Sequence, residues 1–154
     1  MSGFSRTLGY NMISVRGLLV GGCVALLVTT FVAQPQRSIW DRVYTDVQAG
    51  RGEKLYAEQC AQCHGEGLTG VEAAPPLAGD TFNSNWEGTA LADLFERIRT
   101  SMPQNKPGSL TRAQTADILA HMLKVGGFPV GDTPLDGQPG ALTQTKFLTY
   151  RPQP

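Results

Sequence analysis

Cys60-Ala61-Gln62-Cys63-His64 sets two thiols around a two-residue gap, with an imidazole directly after the second. That spacing is the pattern of a covalent haem attachment site. Each sulfur can add to one of the two haem vinyl groups, and the gap lets both face the same edge of the ring. His64 then projects under the iron as its proximal ligand. Two other chemistries use the same residue types. A structural zinc site wants four ligands, but the chain holds three cysteines and two histidines, and Cys23 lies in an apolar N-terminal segment. A thioredoxin-like redox pair sits at the start of a helix that follows a strand, and no strand-like run precedes Cys60.

An iron held by one histidine has a second axial position to fill or leave open. Of the four methionines, Met1 and Met12 lie near the N-terminus. Met122 falls mid-helix among leucines, where a core role suits its flexible thioether. Met102 stands at a helix end, pinned by Pro103 and 38 residues after His64. It is the expected second ligand, with His121 as its competitor. A soft sulfur there favours ferrous iron and raises the reduction potential relative to a second imidazole.

Helices must carry these groups. Thr45-Asp46-Val47-Gln48 has the form of a capping box, so a first helix begins at Thr45 and runs towards Cys60. Gly52 is expensive inside a helix and points to close approach by another backbone; Tyr56 lies one turn further along the same face. Gly65-Glu66-Gly67-Leu68-Thr69-Gly70 matches the dinucleotide pattern, but it follows no strand and leads into Pro75-Pro76, so its glycines are read as a sharp turn. Residues 73–79 form a turn-rich loop. Thr89 is expected to cap a second helix with the apolar stripe Leu91, Leu94, Phe95 and Ile98. Pro103 disfavours helical geometry at the residue before it, so that helix ends by about Met102. Thr111-Arg112-Ala113-Gln114 opens a third helix lined by Ile118, Leu119, Met122 and Leu123, and Gly126-Gly127 stops it. No period-2 strand pattern appears.

The 154 residues suffice for one small domain with appendages. Residues 17–33 carry no charge and follow Arg16, which reads as a secretory signal peptide first and an uncleaved membrane anchor second. Lipidation at Cys23 comes third, and Met12 offers an alternative start. All of these readings export the domain, so the expected location is periplasmic, soluble or membrane-tethered through residues 17–33. Charge sums to zero, and removing Arg6 and Arg16 leaves 11 basic against 13 acidic residues. No basic patch recommends nucleic acid as a partner. The 18 glycines and 10 prolines imply a loop-rich fold, whose core a bound haem would help to fill. The expected organisation is a signal peptide or anchor at 1–33, a linker at 34–44, a haem domain at 45–125 and a Pro/Gly-rich tail at 126–154.

With these residues in place, the chain resembles a class I c-type cytochrome of the bacterial mono-haem kind. The resemblance covers about Thr45 to Val125. It rests on Gly52 and Tyr56 before the Cys60–His64 segment, on Pro75-Pro76-Leu77-Ala78-Gly79, on Met102-Pro103 and on the closing helix. It implies a small all-α fold of three or more helices around one covalently bound haem c, with first and last helices crossing tightly. It implies further that the Pro75 carbonyl accepts a hydrogen bond from His64 and that Leu77 packs on the ring. Trp86 either contacts a haem propionate, as a loop tryptophan does in relatives, or packs in the core.

The expected function is electron transfer rather than catalysis, with iron cycling between Fe(III) and Fe(II) under His64 and Met102. Partners would be redox proteins: a dehydrogenase, an oxidase or a respiratory complex. The alternatives are a haem-bearing subunit of a larger oxidoreductase and, with an open iron position, a gas sensor or peroxidase.

Overall fold

Thr45 is extended, and its hydroxyl accepts the Gln48 N–H at 3.2 Å, which starts the first long helix one residue later. The computed structural model describes residues 36–72 and 74–153, which belong to one compact unit. The expected leader or anchor at 1–33 lies outside the described residues. In chain order the elements are β1 (Arg37–Ser38), α1 (Asp46–Gln59), α2 (Ala61–His64), α3 (Asp80–Trp86), α4 (Leu91–Ser101), α5 (Arg112–Val125), α6 (Pro139–Gln144) and β2 (Thr145–Lys146). The all-α expectation holds, and the two strands are a two-residue parallel ladder pairing Arg37 with Thr145 and Ser38 with Lys146. A ladder so short leaves no alternating pattern in a sequence.

The core forms where α1, α4 and α5 pack together. The stripe on α4 buries Leu91, Leu94, Phe95 and Ile98, as its helical spacing demands. Helix α5 is buried from Thr115 to Leu123. It crosses α1 at Gly52, where backbone meets backbone because no side chain intervenes. Arg51 on α1 adds a two-pronged pair to Asp117 on α5, at 2.8 and 2.7 Å. Half of Arg51 is in water, so this pair orients the helices more than it stabilises them.

The helix ends follow local chemistry, with one correction. Thr111 and Gln114 form the full reciprocal box at the start of α5. Gly127 takes a left-handed turn (φ +79°) that lets Phe128 N–H reach back to the Leu123 carbonyl. Thr89, however, does not cap α4. Its hydroxyl donates to the Trp86 carbonyl at 2.8 Å, and the helix starts after Ala90, whose N–H is met by Asp93. Asp80–Trp86 and Pro139–Gln144 are additional short helices.

The stretches expected as connector and tail both fold onto this core. Ile39 and Tyr44 are fully buried, as are Leu142 and Phe147 to within one per cent. Trp40 Nε1 donates to the Leu148 carbonyl and the Tyr44 hydroxyl donates to the Phe128 carbonyl, so the two segments are bonded to each other. Among the described residues no helix is long and apolar enough to cross a membrane.

Candidate haem-binding site

Helix α1 delivers Cys60 at its end, where the Cys60 N–H donates to the Tyr56 carbonyl at 2.8 Å. The short α2 then turns the motif back on itself: the N–H groups of both Cys63 and His64 donate to the Cys60 carbonyl, at 3.1 and 3.0 Å. Both thiols are free, Cys60 half-buried and Cys63 exposed. Burial pushes the Cys60 thiol up to about 11, with the neighbouring Cys63 adding to the effect. The exit from α2 is locked by Tyr56, whose hydroxyl donates to the Gly65 carbonyl at 2.7 Å. Burial, and Cys60 behind it, raise that phenol to about 12, so it is a firm donor at any physiological pH.

His64 is buried, and its Nδ1 lies 2.8 Å from the Pro75 carbonyl oxygen. A carbonyl can only accept, so Nδ1 carries the proton and Nε2 keeps its lone pair. Metal-ligating histidines commonly donate their other ring N–H in this way. The loop that supplies Pro75 is held from both ends, because Gly70 N–H donates to the His64 carbonyl and Leu77 N–H donates to the Leu68 carbonyl. The fold thus brings Cys60, Cys63, His64 and Pro75 into one assembly.

Leu77 lines a narrow apolar crevice together with Leu94 and Met122. Asn83 also lines it, and its Oδ1 is buried without a hydrogen-bond partner. Trp86 ends α3, half-buried, with its ring centroid 6.3 Å from that of Phe82. Met102 follows α4 in extended geometry, half-buried, its N–H donating to the Ile98 carbonyl at 3.0 Å. His121 is engaged elsewhere: its ring stands 5.3 Å from that of Tyr56 across the α1–α5 contact.

The donor set fits a haem c. Two free thiols share one helical turn with an imidazole whose Nε2 is unengaged. Among the described residues no group of three or more His, Cys, Asp or Glu side chains is placed to hold a metal ion. The surroundings are acidic. From Leu55 to Glu96 the chain contains no lysine or arginine but seven carboxylates, of which Glu58, Glu66 and Glu72 are exposed close to the motif. Asn83 and the tail aromatic Phe147 escape sequence reasoning. No pattern marks the first, and the buried tail residues 128, 135, 142, 145 and 147 are too sparse and irregular to show a period.

Residues 47–122 match the family described as "Cytochrome C oxidase, cbb3-type, subunit III". A 78-residue stretch is 38% identical to a thiosulfate dehydrogenase of Stutzerimonas stutzeri (strain A1501), covering 47% of this chain and 25% of that protein. A thiosulfate dehydrogenase of Psychrobacter arcticus is 33% identical over 55% of this chain and 31% of its own length. The chain therefore spans about a quarter to a third of these relatives. In fold it is similar to the crystal structure of the sulfane dehydrogenase SoxCD from Paracoccus pantotrophus, with a TM-score of 0.50 at 23% identity over 79% of this chain and 68% of that one. The family match over residues 47–122 and the two relatives are in keeping with the resemblance carried by the motif, that of a c-type cytochrome domain.

Proposed function

We propose that this chain is an exported carrier of single electrons, with one haem c bound covalently through Cys60 and Cys63 and held axially by His64 and Met102. The observation that carries this reading is the His64–Pro75 hydrogen bond, which commits Nδ1 and leaves Nε2 for iron. When bound, the haem supplies a one-electron Fe(III)/Fe(II) couple. The protein's own residues supply rigidity. Tyr56 clamps the turn after His64, and Pro103 stops α4 so that Met102 is presented from a constrained position. Leu77 and Trp86 would help to enclose the haem. A site fixed on both sides reorganises little as an electron arrives or leaves.

In this reading residues 1–33 are the export leader or anchor and residues 45–125 the haem domain, which 36–44 and 126–153 wrap. The names of the relatives support an electron donor that oxidises a small inorganic sulfur compound. The exposed carboxylates beside the motif favour a partner with a basic docking face. That partner is a separate protein in a transient encounter or, in the second reading, a catalytic subunit in a stable oxidoreductase complex. The second reading is favoured by the chain's matching only part of longer dehydrogenases.

The test is spectroscopic. Oxidised wild-type holoprotein should show the weak sulfur-to-iron absorption near the red end of the spectrum. Met102→Ala should abolish it, lower the reduction potential and open the reduced iron to carbon monoxide. A band that survives loss of Met102 but vanishes in Met122→Ala would reassign the ligand. Carbon monoxide binding to the reduced wild type would favour a sensor or peroxidase instead. Thiosulfate added to the oxidised holoprotein alone should leave its spectrum unchanged; reduction without another protein would make the chain itself a dehydrogenase.

A further inference from the structure

The tail does more than cover the core. Phe147 N–H donates to the Thr89 carbonyl at 3.0 Å, and Gly88 N–H donates to the Phe147 carbonyl at 2.8 Å. These two bonds splice the tail onto the turn between α3 and α4. Next to it, Lys146 pairs with Ser38 on one side and bridges Ala90 on the other. The Phe147 ring is 1% exposed. It stands edge-on to Phe82 at 5.9 Å and to Phe128 at 5.5 Å, and Phe82 in turn faces Trp86. An aromatic series thus runs from the tail to Trp86. Phe147 also forms a wall of the crevice shared by Leu77, Asn83 and Met122.

Deleting a buried aromatic ring leaves a cavity. A purely apolar cavity stays dry, but the lining of this one includes Asn83, whose unpartnered Oδ1 can accept one of the two to four hydrogen bonds that a buried water needs. Water next to Leu77 raises the polarity around the iron, favours the more highly charged oxidised state and lowers the reduction potential.

We propose that the C-terminal segment belongs to the haem enclosure and that Phe147 is a positioning residue for the reduction potential, acting by keeping the Leu77–Asn83 crevice dry. This rests on the haem reading above.

The test compares midpoint potentials of full-length holoproteins, with thermal stability measured alongside. Phe147→Ala should shift the midpoint downwards, and Phe147→Leu, which refills part of the space, should shift it less in the same direction. Leu142→Ala removes a buried tail side chain that does not line the crevice. It should lower stability and leave the midpoint at the wild-type value. Phe147 variants with the wild-type midpoint would overturn the proposal, as would an equal shift in Leu142→Ala. If Phe147→Ala fails to retain haem, Phe147→Leu decides alone: a lowered midpoint supports the proposal and an unchanged one refutes it. A wild type with no reversible one-electron wave would instead defeat the haem reading itself.

Discussion

A Cβ atom built on Gly52 would lie 1.8 Å from the carbonyl oxygen of Asp117, far inside contact distance. Helices α1 and α5 therefore touch through backbone, and glycine is required for space rather than for conformation. Gly52→Ala gains up to about 1 kcal/mol of helix propensity, but forcing the helices apart costs about 1–3 kcal/mol or more. A lower denaturation midpoint is the expected result. A variant as stable as the wild type would show that the crossing is looser than this geometry.

His121 gives the fold a pH dependence of known sign. Burial holds its pKa below the ordinary value; Glu53 works against that shift and Lys124 adds to it. A folded-state pKa below the unfolded one means that the unfolded chain binds the extra proton first. Stability is therefore complete above about pH 6.5, the ordinary histidine value, and falls as pH drops from there towards the folded-state pKa. Urea titrations between neutral pH and pH 5 should show this slope in the wild type and a flatter one in His121→Phe. Parallel slopes would mean that other groups govern the acid limb.

The acidic surroundings of the motif predict salt-dependent encounters. Opposite charge steers association, and added salt screens it over a Debye length of about 8 Å at physiological ionic strength. Electron exchange with a basic redox partner should slow as salt rises, and the double change Glu66→Gln and Glu72→Gln should flatten that dependence without altering the optical spectrum. A rate insensitive to salt in the wild type would remove charge from the docking account.

Much of this structure was legible because local rules set it. The α4 stripe, the Thr111–Gln114 box and the end of α5 at Gly126-Gly127 all follow from nearest neighbours along the chain. The turn that gathers Cys60, Cys63 and His64 was legible because the three lie within five consecutive residues. The rest depends on contacts distant in sequence. Gln48 reads as half of a capping box, yet its side chain is buried and makes two hydrogen bonds to the Leu135 backbone, at 3.0 and 2.7 Å. Thr89 reads as a cap and is drawn instead to Trp86, while the turn it occupies is bonded to Phe147. A Pro- and Gly-rich tail carries no periodic signal because each of its buried residues answers to a different element. Trp40 and Phe128, 5.2 Å apart, exemplify packing that no window of sequence contains.

The central claim is that Cys60 and Cys63 carry the haem, and the intact mass of the denatured protein tests it most directly. Protein produced with a haem-attachment system, unfolded in acid and freed of loose pigment, should weigh one haem more than its polypeptide. The double variant Cys60→Ala with Cys63→Ala should weigh the polypeptide alone. A wild type that releases its pigment and returns the bare polypeptide mass would contradict the account.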